Sequence, residues 1–128
     1  MIKHLLDLLS IAICILLLDG IYLSIFGKQF VKMITQIQNS PFQMKIISAI
    51  LCYLLLTGGL YYFIILPKRS LFDAFLLGLV IYGVYDTTNH STITKWKWNL
   101  ALMDTIWGGT LFMLTTYFVR IVQPYISR

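Results

Sequence analysis

LLDLLSIAICILLLDGIYLSIF, residues 5–26, decides the architecture of this 128-residue chain. A helical membrane span needs about 20 predominantly apolar residues. This run supplies them with Asp7 and Asp19 as its only charges. The eleven Leu and Ile residues from Leu8 to Ile25 contribute roughly −3 to −7 kcal/mol on an insertion scale, against about +3 for an aspartate. The segment therefore inserts with Asp19 inside it. Lys3 and the leucine-rich centre resemble a secretory signal. However, the run is too long and no small-x-small cleavage site follows, so a retained helix is expected.

Three further apolar stretches lie downstream, at about Ile46–Leu66, Leu71–Thr88 and Leu100–Val119. Composition agrees: 59% of residues are apolar, 12% are charged and the mean hydropathy is +0.81, where soluble domains carry about 25% charge. The fold class expected is all-α, an integral membrane four-helix bundle, with residues 1–128 forming a single transmembrane domain. Between the first two spans, Phe30, Met33, Ile34 and Ile37 recur at helical spacing among Lys and Gln residues. That pattern predicts a short interfacial amphipathic helix, ended by Asn39-Ser40-Pro41.

Four spans bring both termini to one face, called side X here; the opposite face is side Y. Side X carries Lys3, Lys68, Arg69, Arg120 and Arg128, and side Y carries Lys28, Lys32, Lys45, Lys95 and Lys97. The counts tie, so the positive-inside rule sets no orientation. The net charge of +5 is scattered without a basic stripe, which points to lipid headgroups and away from nucleic acid. Trp96 and Trp98 suit the aromatic belt at a membrane surface. The tight turn from Pro67 to Ser70 makes the second and third spans neighbours. Gly58-Gly59, Gly78, Gly83 and Gly108-Gly109 offer close helix contacts.

Asp19, Asp86 and Asp104 lie in or at the edge of these spans, all in the Y half. An intramembrane carboxylate is expensive and usually marks a site. At about 1.5 Å per residue, Asp19 is roughly 10 Å inside its span and Asp104 roughly 7 Å inside, with Asp86 near the interface. The fourth span has eight Leu, Ile, Phe or Val residues, about −2.4 to −4.8 kcal/mol, which barely offsets Asp104. Asp104 should therefore face neighbouring helices. Tyr82, Asp86 and Asn89 share one helical face, Asp104 shares another with Trp107, and Asp19 pairs with Tyr22. The expected pathway or ligand site comprises Asp19, Asp86, Asn89 and Asp104, lined by Tyr22, Tyr82, Tyr85 and Trp107, with Lys45 at its mouth.

Three functions fit such a cluster. It could bind or conduct a proton, small cation or polar small molecule; it could serve an enzyme acting on a lipid; or it could hold a structural scaffold together. No catalytic residue and no cofactor follows from the sequence, and His90 beside aspartates is too poor a donor set to expect a metal. Cys14 and Cys52 read as small apolar residues within spans. The partners expected are the bilayer and a small ligand or cation, with a homo-oligomer left open.

The run YGVYDTTNHSTITKWKWNLALMDTIWGG, residues 82–109, resembles the small bacterial membrane proteins grouped as domain-of-unknown-function family 2177. The resemblance rests on Tyr85, Asp86, Thr88, Asn89, Thr92 and Trp96, then Asp104, Trp107 and Gly108. In the first span Leu18, Asp19, Tyr22 and Leu23 look like the family's Leu-Asp-x-x-Trp-Leu, with Tyr in the Trp place. The resemblance implies four membrane helices and no activity. A composition leaning to Ile, Lys and Asn suits an AT-rich genome. The native membrane stays open between a cell membrane and the internal membrane of a large virus.

Overall fold

The computed structural model describes residues 1–126 and is helical almost throughout. Arg128, counted above on side X, lies outside the described residues. Helix α1 runs Ile2–Gln38, α2 Ile46–Ile65, α3 Leu71–Thr92 and α4 Trp98–Ile126. All four are long and apolar enough to cross a membrane. Their outer faces carry Leu17, Leu55, Phe63, Phe72, Val84 and Ile106, each more than half exposed. Apolar surface in that position is what a lipid solvent requires.

Helix α1 corrects one expectation. Residues 28–38 are helical, but they continue α1 and do not form a separate interfacial element. No Pro occurs before Pro41 to break the run, and the helix stops where Asn39 turns left-handed at φ 53°. At 37 residues it is about 55 Å long, well beyond a hydrocarbon core of about 30 Å. Its amphipathic end does not lie flat because the apolar face has a protein partner. Met33 is fully buried with Trp96, Leu100 and Ala101, and Phe30, Ile34 and Ile37 pack beside them. Lys97 donates its backbone N–H to the Met33 sulfur at 3.2 Å. The end of α1 and the α3–α4 connection thus form a cap on side Y.

Helix α2 closes with a π-helical turn over Tyr61–Ile65 before Pro67 and the left-handed Lys68 (φ 59°). Ser70 then caps α3 by accepting the Asp73 N–H at 3.0 Å, and Arg69 pairs with Asp73 at 3.0 Å. Those contacts reverse the chain, yet the backbones of α2 and α3 separate beyond the turn. They are antiparallel neighbours, as the turn implies, but they face each other across a cleft and do not pack backbone to backbone. Helix α3 packs on α4, α4 on α1, and α1 on α2, which leaves a cleft between α2 and α3.

The closest seam is α3 against α4. A Cβ at Gly78 would sit 2.1 Å from the Gly108 carbonyl oxygen, and one at Gly109 would sit 2.9 Å from the Phe75 carbonyl oxygen. Only glycine permits that approach. Gly58 and Gly59, expected to serve the same purpose, have no neighbour within 4 Å of a notional Cβ. The apolar core of Ile11, Ile15, Leu60, Leu111, Phe112 and Val119 fills the middle of the molecule and its X half.

Candidate functional site

Helix phase and the α3–α4 seam together assemble the acids. On α1, Asp7, Ile11, Ile15, Asp19 and Tyr22 recur at i, i+4 or i+3 spacing and are all buried, so Asp19 is carried inward by the core stripe. Helix α3 continues to Thr92, past the expected end at Thr88. Asp86 is therefore about 9 Å from the helix end and within the span. Helix α4 begins at Trp98 and not at Leu100, which gives Asp104 a similar depth of about 9 Å.

The geometry divides the cluster into two parts. Asp19 is held by donors: the Trp107 indole N–H donates to Oδ1 at 3.0 Å, and the Tyr53 hydroxyl donates to Oδ2. Trp107 also stacks on Tyr22, with ring centroids 4.7 Å apart and planes 1° from parallel. The Tyr22 hydroxyl donates to Asp104 Oδ1 at 3.3 Å. Tyr22 and Trp107 thus connect the first acid to the third.

Asp86 differs. It is 0% exposed, and neither of its oxygens makes a hydrogen bond of normal geometry among the described residues. Asp104, Thr105 and Trp96 all stand beside it. The Trp96 indole N–H is likewise buried and makes no hydrogen bond of normal geometry among the described residues. None of the three acids has a Lys, Arg or His ion-pair partner among the described residues. Lys45 immediately precedes α2, exposed, and forms no ion pair with them.

The remaining expected residues fall around this pair. Tyr82 lies over Gly108, where a Cβ would come within 2.2 Å of its ring. Tyr85 meets Trp96 edge to face at 5.9 Å and has Asn89 beside its hydroxyl. His90 lies against Trp98 at 4.6 Å. A cavity of about 350 Å³ between α2 and α3 is lined by Cys52, Leu56, Ile81, Tyr82, Tyr85 and Asp104.

Sequence reasoning missed Tyr53, Cys52, Thr105 and Trp96 as site residues. Tyr53 had a legible signal. It sits seven residues into α2, about 10 Å deep, level with Asp19 in an otherwise aliphatic run. On side X, His4 Nδ1 bonds the Tyr61 hydroxyl and Asp7 is 3% exposed. Asp7 is thus carried into the bundle, while His4 stays exposed at its edge.

No curated protein and no solved structure matches the chain. Residues 4–120 match the family described as predicted membrane protein, DUF2177. The Asp19, Asp86 and Asp104 cluster, Trp107 and the Gly108 seam all fall within that match, and the chain belongs to the DUF2177 family of predicted membrane proteins.

Proposed function

We propose that this membrane protein binds a small cation or a polar small molecule at the paired carboxyl groups of Asp86 and Asp104. One observation carries the reading: Asp86 is fully buried beside a second acid, with no basic partner and no hydrogen bond of normal geometry. An uncompensated buried polar group is costly, on the order of 1–3 kcal/mol and more when charged. A cationic or hydrogen-bond-donating ligand removes that cost. Asp19 acts as an anchor in this reading, because Tyr53 and Trp107 already occupy its oxygens.

Binding is favoured over conduction by what lies above the acids. Ile11, Ile15, Leu60, Leu111 and Phe112 are packed at 0% exposure or nearly so on the X side of the cluster. A permeating ion needs a polar route through that half of the bilayer. The test uses purified protein in phosphatidylcholine nanodiscs, titrated by calorimetry with potassium, sodium and methylammonium. Wild type should bind one of them, and Asp86→Asn and Asp104→Asn should each weaken it at least tenfold. Unchanged affinity in both variants would overturn the reading. Sealed vesicles bearing the protein should show no transmembrane flux of the bound cation.

A further inference from the structure

The binding reading leaves open how a ligand reaches two acids inside the membrane, and the surroundings of the pair narrow the answer. Side Y is closed. Met33, Trp96, Leu100 and Ala101 pack together there, with Leu100 one turn nearer side Y than Asp104 and Trp96 against Asp86. Towards side X stand Gly108 under the Tyr82 ring and then Leu111 and Phe112 of the core.

The remaining direction is sideways. Because α2 rests on α1 and parts from α3 after their turn, the cavity of about 350 Å³ separates the two helices and reaches Asp104. Its walls are Cys52, Leu56 and Ile81, with Tyr82 and Tyr85 alongside. Cys52, Ile81 and Tyr85 are exposed on the surface that faces lipid. The walls are apolar and the inner end is acidic. An amphiphile with an amine head matches that order, since its chain replaces lipid against Leu56 and Ile81 while its head meets the Asp104 carboxyl group. A water-soluble ion gains nothing from the apolar walls. The volume of about 350 Å³ lies at the low end for ligand pockets and suits one chain and a compact head.

Resting on the binding reading above, we infer that the ligand of the Asp86–Asp104 pair is a single-chain amphiphile with a protonated amine head, admitted from the bilayer between α2 and α3. The Asp104 carboxyl group at the closed end faces no protein cation, so it can pass its proton to an amine and pair with it, which selects the amine over a fatty acid.

The test measures partition of radiolabelled dodecylamine between protein-bearing and empty phosphatidylcholine nanodiscs, with methylammonium as the chainless probe. Saturable dodecylamine binding at least tenfold tighter than methylammonium is expected, and Asp104→Asn should abolish it. Ile81→Trp fills the cleft without touching the acids and should weaken dodecylamine at least tenfold. Leu55→Trp, on the outer lipid face of α2, should leave it unchanged. Equal affinity for the two amines, or equal behaviour of the two tryptophan variants, would overturn lateral entry while leaving the carboxylate site intact. Failure of wild type to bind either amine would overturn this inference, while the cationic site itself would still be decided by the potassium and sodium titrations.

Discussion

Asp19 and Asp86 occupy comparable depths in apolar helices and are both buried, yet their surroundings are opposite. Asp19 accepts from Trp107 and from Tyr53, side chains delivered by α4 and α2. It therefore fastens three helices at one point. Asp86 stands beside Asp104, Thr105 and Trp96 with no hydrogen bond of normal geometry. A buried acid with its donors supplied contributes to holding the fold, whereas one without them costs stability until something binds. The contrast shows that acids of equal burial need not share a role.

The largest expected effect tests the seam that holds Asp86 against Asp104. Gly78→Ala would drive a methyl into the Gly108 carbonyl, a backbone contact that no rotamer relieves. We expect a loss of about 3 kcal/mol or more by reversible unfolding in detergent. Gly58→Ala, in open space, should change stability by less than about 1 kcal/mol in the stabilising direction. Equal losses at both glycines would break the seam argument.

Next comes the anchor. Trp107→Phe keeps the stack on Tyr22 and removes one donor to Asp19, for an expected loss of about 2 kcal/mol. Tyr53→Phe removes the other donor and should cost about 1 kcal/mol. Neither change touches the Asp86–Asp104 pair, so cation binding should survive both within a factor of about three, equivalent to roughly 0.7 kcal/mol.

The smallest effect on stability belongs to Asp86→Asn. With no hydrogen bond of normal geometry to lose among the described residues, its unfolding free energy should stay within about 0.5 kcal/mol of wild type or rise. Ligand affinity should nevertheless collapse. If Asp86→Asn destabilises as much as Trp107→Phe, the two acids are both structural and the comparison fails.

Much of this was legible in the residues. Apolar runs of bilayer length marked the helices, and depth counting from Asp19 and Asp104 found the half that holds the cluster. The amphipathic pattern of residues 28–38 was also legible as helix, but its partner was not. Periodicity identifies an apolar face without saying whether lipid or protein covers it, and here Trp96 and Leu100 do. The glycines show the same limit. Gly58-Gly59 and Gly108-Gly109 are identical as sequence, yet only the second pair is pressed against another helix.

What the chain's sequence determined alone was local: which segments enter the bilayer, which face of each helix carries an acid, and roughly how deep. Those follow from transfer free energies and a fixed rise per residue, both properties of single segments. Tertiary structure alone decided which donors reach Asp19, that Asp86 stands beside Asp104 without a hydrogen bond of normal geometry, and that the cavity at Asp104 lies between α2 and α3. Each depends on how helices far apart in sequence pack side by side, and inside a membrane that is set by fit between surfaces and not by hydrophobicity.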